Sequence, residues 1–488
     1  MRIASLKTLT KASLNATFTV TRLKTRLMKR FNHKVHSDHP HNRIYTEILA
    51  IAVITFWLVP AFICDAQNLT PPSPAPLAHS AFNHSEDKIP PYVEPDILRD
   101  ENGAIISTVN QWTHKRRPES LALLRSQMFG FNPTHPVHLH RESVSISADA
   151  LDGAAIRKQI ILTLPGAPEG PRLHLLLYLP SHTKGRVPVF LGLNDSGNQS
   201  VSTDPGIELS PVWVADPNNR RVLLPRTADD SMRGHGASQW PIRTILARGY
   251  GLATIYADDL EPDFLGGEAY GFRASPMLAE EDIPVNQRWG ALGVWAWGLS
   301  RALDYLITDP GVDGTRVAVI GHSRFGKAAL WAGAQDTRFA LVISNESGKG
   351  GAALLKRNFG ETVANLNTRF PYWFCPNFRR YTNNEQALPF DSPFLLALVA
   401  PRPLYVASSS GEYIVDPLGE FLAAAAVGPV YKLFGEKGLG VTKQPPIGQP
   451  IFNQVGYHLR YGKHDMTAYD WEQYLAFADI HLKDRLTR

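Results

Sequence analysis

The chain has 488 residues, of which 44% are hydrophobic and 19% charged, a composition typical of a globular protein with a large core. Its formal charge of +5 comes from residues 1–47, which hold ten Lys or Arg and two Asp or Glu, so the rest is slightly acidic. The basicity therefore belongs to a tail and is not spread over a folded surface. We predict one large domain with N-terminal extensions and no nucleic-acid partner.

Residues 48–64 ("ILAIAVITFWLVPAFIC") follow the basic tail and contain no charge. They end close to Ala66, a small residue suited to a cleavage site. This pattern predicts a secretory signal over residues 1–66, and hence a secreted or periplasmic protein. The alternative is a membrane anchor, because seventeen apolar residues are near the lower limit for spanning a bilayer. After cleavage Cys375 would be the single cysteine, which excludes an internal disulfide.

Residues 67–110 are rich in Pro, Ser, Asn and His and suggest a linker or a wrapping arm. In residues 111–488, apolar runs alternate with helix-length stretches, and the first two runs, joined by "GAPEGP", predict a hairpin. Strands are expected at 158–165, 172–180, 187–193, 251–257, 316–321, 340–344, 403–408 and 456–462. The alternation predicts an α/β fold, with a mostly parallel sheet of about eight strands covered by helices on both faces.

One serine lies between a strand and a helix in "RVAVIGHSRFGKAALWAGAQ". The apolar run ends at Gly321 and the helical run begins at Phe325, which leaves Ser323 at a sharp turn. Such a turn exposes a hydroxyl at the edge of a sheet, as in a nucleophile elbow, although the serine could also be a simple N-cap. The usual G-x-S-x-G is not met, because the second glycine, Gly326, comes one place late. His322 is expected to face away and pack in the interior.

The order of polar residues along the predicted strands matches the α/β-hydrolases. In that fold the nucleophile follows strand five, the acid follows strand six or seven, and a histidine follows strand eight. Counting places Ser323 after the fifth strand and His464 after the eighth, while Glu346 ends the sixth and Glu412 follows the seventh. A serine needs a base, and the base needs a carboxylate that holds its tautomer. Both glutamates occupy permitted positions for that carboxylate.

Lys327 follows Ser323 by four residues, so both side chains project from one face at the start of the helix. A cation near a helix N-terminus is mildly unfavourable. Lys327 is therefore either a solvated surface residue or a contact for an anionic or hydroxyl-rich ligand. Spacing alone leaves both alternatives open.

The run "GHSRFGKAALWAGAQDTRFALVISNESGKGGAALLKRNFGETVANLNTRFPYWFCPNF" resembles the glucuronoyl esterases, carbohydrate esterase family fifteen. The signature of that family around its nucleophile is G-C-S-R-x-G-K-x-A. This chain departs from it in having His322 for the cysteine, a position without a catalytic role in the family. The similarity also covers "LGLNDSGNQS" and the segment around His464, and extends over roughly residues 110 to 485. The resemblance implies an α/β-hydrolase fold and serine esterase activity.

The resemblance also implies roles for single residues. Ser323 is the expected nucleophile and His464 the expected base. Arg324 is expected to form the oxyanion hole through its backbone N–H and its guanidinium. Members of the family differ over the acid, which follows strand six in many of them and strand seven in some, so Glu346 is our first choice and Glu412 the reserve. No metal and no cofactor are implied.

Three further residues complete the sugar site that the resemblance implies: Lys327, Glu361 and Trp373. The expected substrate is an ester of (4-O-methyl-)glucuronic acid in glucuronoxylan or a lignin–carbohydrate linkage, and the protein is expected to act as a monomer. Two alternatives are an acetyl-xylan or other carbohydrate esterase, and a catalytically silent sugar-binding homologue. The ring-binding residues argue against the first, because an acetyl group needs no such contacts, and the complete triad argues against the second.

Overall fold

The computed structural model describes residues 82–133, 137–167, 169–215, 223–279 and 281–483. Within these ranges the chain forms twelve strands: β1 (His140–Ala150), β2 (Ala155–Thr163), β3 (Arg172–Pro180), β4 (Val187–Asn194), β5 (Pro211–Ala215), β6 (Leu223–Thr227), β7 (Gly251–Tyr256), β8 (Val312–His322), β9 (Leu341–Asn345), β10 (Leu404–Ser409), β11 (Ile451–Phe452) and β12 (Val455–Arg460).

The same ranges contain eleven α-helices: α1 (Val109–Gln111), α2 (Arg117–Leu124), α3 (Ile242–Ala247), α4 (Ala257–Leu260), α5 (Ala291–Leu306), α6 (Arg324–Gln335), α7 (Val363–Arg369), α8 (Ser392–Ala397), α9 (Pro417–Ala426), α10 (Gly428–Leu433) and α11 (Ala468–Ala478). Short single turns of helix join many of these elements.

Ten of the strands form one sheet in the order β1-β2-β3-β7-β4-β8-β9-β10-β12-β11, and β5 and β6 form a separate hairpin. The six strands from β7 to β12 in this order are parallel, while β1, β2 and β3 are antiparallel at one edge and β11 at the other. All eight predicted strands are present, including the β2–β3 hairpin. The α/β-hydrolase fold is therefore confirmed.

The sequence interpretation missed β1, β11 and the β5–β6 hairpin. The burial pattern of β1 explains the omission, because its residues are mostly exposed and only its last one is buried. An edge strand needs one hydrogen-bonded neighbour and little apolar surface, so its hydrophobic signal is weak. The alternation "SVSIS" inside β1 was the available indication of a strand.

The sheet separates two cores, because successive side chains of a strand point to opposite faces. On β8, Val317 and Val319 belong to the core that includes residues of α5 and α6. Ala318 and Ile320 belong instead to the core that includes residues of α3 and α11. The continuous apolar runs of the central strands thus reflect burial on both faces, as predicted.

The N-terminal arm packs on the domain from Phe82 onward. Ile97 and Ile106 are buried in the first of the two cores, and Glu86 forms an ion pair with Arg357. The predicted signal and the first part of the predicted linker lie outside the described residues. The division of the chain at residue 110 stays a prediction.

The position of four neighbouring strands defines where a site can form. Strands β8, β9, β10 and β12 are consecutive in the sheet and parallel. Their carboxyl ends therefore open on one edge, where ligands of α/β sheets bind. The predicted nucleophile, acid candidates and base each follow one of these four strands.

We predict that Trp471→Ala lowers the free energy of unfolding by about 3–5 kcal/mol, because it removes a large aromatic group from a packed core. Trp471 is fully buried on α11, its ring lies 5.4 Å from that of Phe190, and its Nε1–H donates to the Gln239 carbonyl at 2.7 Å. Chemical denaturation measures the change. Tyr461→Ala, at an aromatic residue that is 84% exposed, is the control and should stay within about 0.5 kcal/mol of wild type.

Candidate active site

Ser323 occupies a strained turn between β8 and α6. Its φ of 56° and ψ of −126° lie in a region that L-residues disfavour, and its N–H donates to the Asn345 carbonyl at 2.9 Å. A Cβ on Gly321 would lie 2.0 Å from the Phe325 carbonyl oxygen, and one on Gly326 would lie 3.0 Å from the Gly321 oxygen. Strand and helix therefore cross between these two glycines, which explains why the second glycine can stand one place late.

The imidazole of His464 is held by the first of the two candidate acids. Nδ1 of His464 lies 2.8 Å from Oε2 of the fully buried Glu346. A carboxylate accepts hydrogen bonds, so this contact fixes the proton on Nδ1 and leaves Nε2 as the basic nitrogen. Burial raises the pKa of Glu346, and the charge of Arg460 opposes that shift. Burial lowers the pKa of His464 and so favours its neutral form.

Arg460, the last residue of β12, is a positioning residue that the sequence analysis missed. Its Nε donates to both carboxylate oxygens of Asp470 on α11, at 3.0 and 2.9 Å. Its Nη2 donates to Oε1 of Glu346 and to the backbone carbonyls of the two residues that flank His464, at 2.9 and 2.6 Å. One buried guanidinium thus fixes both His464 and Glu346. An arginine at the end of a buried strand was the available signal.

Arg324 begins α6, directly after the predicted nucleophile, and its guanidinium is tied to Asp263. Nε of Arg324 lies 2.7 Å from Oδ2 of Asp263. The other oxygen of Asp263 accepts from Nε1 of Trp373 at 2.7 Å and from the Tyr372 hydroxyl at 3.0 Å. The sequence analysis assigned no role to Asp263, although it follows β7 at the same sheet edge. This one carboxylate therefore joins the predicted oxyanion residue to the predicted sugar-binding tryptophan.

A cavity of about 150 Å³ opens at this edge of the sheet, and Ser323, Arg324 and His464 line it. His322 also lines the cavity, and its ring centroid lies 4.4 Å from that of His464. The prediction that His322 faces away was wrong. Strand β8 continues through His322, and a hydrogen bond between its Nδ1 and Oδ1 of Asn345 turns the ring toward the edge of the sheet.

Lys327 lies on α6, and the other two predicted sugar-site residues, Glu361 and Trp373, lie near it. Lys327 is buried, and its Nζ donates to the Ser347 carbonyl at 2.5 Å and lies 5.8 Å from the ring centroid of Trp373. Burial lowers the pKa of Lys327 and raises that of Glu361, and the charge of each opposes the shift of the other. Trp373 stacks on Phe370 with centroids 3.8 Å apart. Burial removes one alternative for Lys327, because a buried ammonium is not a solvated surface group.

Glu412, the reserve acid, is half-buried near the same imidazole. Its Oε1 accepts from the backbone N–H of Ile414 at 3.1 Å. Burial has the largest effect on the pKa of His464 and lowers it. The negative charge of Glu412 has the second largest effect and raises it. Glu346 therefore holds the hydrogen bond to Nδ1, while Glu412 acts on the same ring through its field. Within the described ranges, no group of three or more His, Cys, Asp or Glu side chains is arranged to hold a metal ion.

Comparison with known proteins relates this site to a family. A family model described as "Glucuronyl esterase, fungi" matches residues 284–435. A carbohydrate esterase from an unknown prokaryotic organism is 44% identical over 401 residues, which cover 82% of this chain and 92% of that protein. A 4-O-methyl-glucuronoyl methylesterase of Podospora anserina is 45% identical over 127 residues, 24% of this chain and 26% of that protein.

Two solved structures are similar over nearly the same region. A glucuronoyl esterase from Solibacter usitatus has a TM-score of 0.77 and 46% identity, covering 81% of this chain and all of that chain. A CE15 esterase from a marine bacterial metagenome, described as promiscuous, has a TM-score of 0.77 and 44% identity, covering 82% of this chain and all of that chain. The chain thus belongs to carbohydrate esterase family 15 (CE15), the glucuronoyl esterases, which are carboxylic ester hydrolases.

Proposed function

We propose that this protein is a serine esterase that hydrolyses esters of (4-O-methyl-)D-glucuronic acid, such as those that link lignin to glucuronoxylan. The observation that carries the proposal is the 2.8 Å contact between His464 and Glu346, at a cavity that His464 shares with Ser323. The relative from Podospora anserina is named for the same ester chemistry. This combination supports an esterase acting on a glucuronoyl acyl group.

In the proposed mechanism, Nε2 of His464 takes the proton of Ser323 as the serine oxygen attacks the ester carbonyl carbon. Glu346 holds Nδ1–H and offsets the charge of the imidazolium. The backbone N–H of Arg324, at the start of α6, and its guanidinium stabilise the oxyanion. The alcohol leaves with the proton from His464, and water, deprotonated by the same imidazole, then releases glucuronate from the acyl-enzyme.

The cluster beside α6 supports a sugar acid as the acyl group. Lys327 carries three ammonium donors, of which the Ser347 carbonyl takes one. Glu361 is a buried carboxylate that offers acceptors, and Trp373 offers an aromatic face of the kind that packs on sugar rings. An acetyl group would present no hydroxyl to these partners, which favours a glucuronoyl ester over an acetyl-xylan ester.

Export and a monomeric state form part of the proposal. A polymeric plant-wall ester lies outside the cell, and the apolar stretch at residues 48–64 with its preceding basic tail supports a secretory signal. The groups assigned to the triad and the oxyanion hole all come from one chain, so a single copy supplies a complete site.

We predict that Ser323→Ala lowers kcat/KM for benzyl glucuronate by about 10³-fold or more, because no other group supplies the nucleophile. The wild-type enzyme should cleave benzyl glucuronate and release little acetate from acetylated xylan. Ser145→Ala, on the exposed strand β1, is the control and should match wild type. A Ser323→Ala enzyme within about tenfold of wild type would overturn the triad, and preferential release of acetate would favour the acetyl esterase.

A second prediction separates sugar recognition from catalysis. Lys327→Met and Trp373→Ala should each lower kcat/KM for benzyl glucuronate about 10- to 100-fold more than for nitrophenyl acetate. The first removes a hydrogen bond from a charged group, which is worth about 1.5–3 kcal/mol, and the second removes the aromatic surface that packs on the sugar ring. Steady-state kinetics on both substrates measures the difference. Equal losses on the two esters would show that these residues support the fold and do not recognise the sugar.

A third prediction concerns the two glutamates. Glu346→Gln should lower kcat/KM by up to about 10⁴-fold, because it removes the charge that stabilises the imidazolium, and Glu412→Gln should cost about tenfold or less. Since the charge of Glu412 raises the pKa of His464, Glu412→Gln should also move the acid limb of kcat/KM to lower pH. The loss of kcat/KM in the double variant should exceed the product of the losses in the two single variants.

The four genotypes are compared on one glucuronoyl ester across a pH series, together with their melting temperatures. If Glu412→Gln reaches the loss of Ser323→Ala and Glu346→Gln is nearly neutral, the assignment of the acid is reversed.

A further inference from the structure

Two imidazoles lie side by side in the candidate active site. The ring centroids of His322 and His464 are 4.4 Å apart, and their planes meet at 44°. Both residues line the 150 Å³ cavity next to Ser323. His464 has its acid partner at Nδ1, but His322 has no role in the proposed mechanism. A ring in van der Waals contact with a catalytic base restricts where that base can move.

The orientation of His322 is set by the fold. Its Nδ1 lies 2.5 Å from Oδ1 of Asn345. The other amide atom, Nδ2 of Asn345, donates to the Tyr474 hydroxyl at 2.7 Å and lies 3.4 Å from Oδ1 of Asp470. Both partners are buried on α11, so the amide is oriented with its oxygen toward His322. Because that oxygen only accepts, Nδ1 of His322 carries a proton.

His322 stays neutral when His464 takes up a proton. The pKa of His322 is lowered to about 4, mainly by burial and also by the positive charge of His464, while the hydrogen bond to Asn345 opposes the shift. Other charged groups, from several elements, also act on the two rings. His322 is affected by Asp465 and Asp470. His464 is affected by Glu346, Glu412, Lys327, Arg460 and Asp465. A neutral ring beside the imidazolium does not repel it, whereas a second cation would.

We infer that His322 is a positioning residue of the esterase, which holds the imidazole of His464 toward Ser323 and shields one side of that ring from water. Two consecutive residues at the end of β9 thereby control the base: Asn345 orients His322, and Glu346 orients His464. The inference rests on the proposed function, because it assigns His464 the part of the base.

Three substitutions separate the ring from its hydrogen bond. His322→Ala removes both, His322→Gln keeps an N–H donor without an aromatic ring, and His322→Phe keeps a ring without the donor. We expect His322→Ala and His322→Gln to lower kcat about 10- to 100-fold, because a small misplacement of a catalytic group lowers the rate by about this factor. KM should change less than about threefold. The loss should be equal on benzyl glucuronate and nitrophenyl acetate, since the base serves both esters.

The pH profile gives a readout that a structural role would not move. Burial lowers the pKa of His464, and activity is lost as the pH falls through that value. Removing the neighbouring ring admits water and weakens the effect of burial, so the acid limb of kcat/KM should move to higher pH, by roughly half a unit or more. His322→Phe should keep the limb within about 0.2 units of wild type.

The outcomes distinguish this inference from the proposed function. An unchanged acid limb and a kcat within about twofold of wild type in His322→Ala and His322→Gln would overturn the inference, even if the melting temperature falls. An acid limb of kcat/KM that moves as far in His322→Phe as in His322→Ala would also overturn the inference, because the aromatic ring would then not matter. If His322→Ala fails to fold, the other two variants decide. The proposed function fails separately, when Ser323→Ala retains activity with His322 unchanged.

Discussion

The buried guanidinium of Arg460 is the interaction on which the candidate site depends. It holds Asp470 on α11, Glu346 at the end of β9, and the two carbonyls that flank His464. A buried charge is tolerated only when it is paired and hydrogen-bonded, so each partner is constrained by the others. His464 and Glu346, the proposed base and its carboxylate, are therefore fixed by the same group that joins β12 to α11.

A second set of buried ions shapes the loop that leads from β9 to the sugar-site residues. The ammonium of Lys349 donates to the carbonyls of Leu354 and Arg357, both at 2.7 Å, and lies 3.7 Å from Asp416. The guanidinium of Arg357 bonds the same carboxylate and reaches Glu86 on the N-terminal arm. In this irregular loop, contacts of buried charged side chains stand in place of the regular hydrogen bonds of a helix or strand. The loop delivers Glu361 to the neighbourhood of Lys327.

The turn at Ser323 shows how the structure accommodates a departure from the sequence pattern G-x-S-x-G. The sequence lacks the glycine two places after Ser323, and the structure uses Gly326, whose Cβ position would come within 2.9 Å of Ser347. What the turn requires is a close crossing of strand and helix, and the glycine that permits it can shift by one residue. The same turn brings His322 to the cavity, an outcome that the strand pattern did not indicate because it depends on the partner offered by Asn345.

The sequence by itself determined the eight main strands, the class of fold and the order of Ser323, Glu346, Glu412 and His464. Buried parallel strands leave continuous apolar runs, and the order of residues along the chain survives folding unchanged. Only the tertiary structure decided which glutamate bonds His464, that Asp263 holds the Arg324 side chain, and that Lys327 is buried. The first two facts depend on contacts between residues more than sixty positions apart in the chain, and the burial of Lys327 depends on residues twenty or more positions away, such as Ser347. No local sequence pattern records such contacts, because distances of a few ångströms decide them.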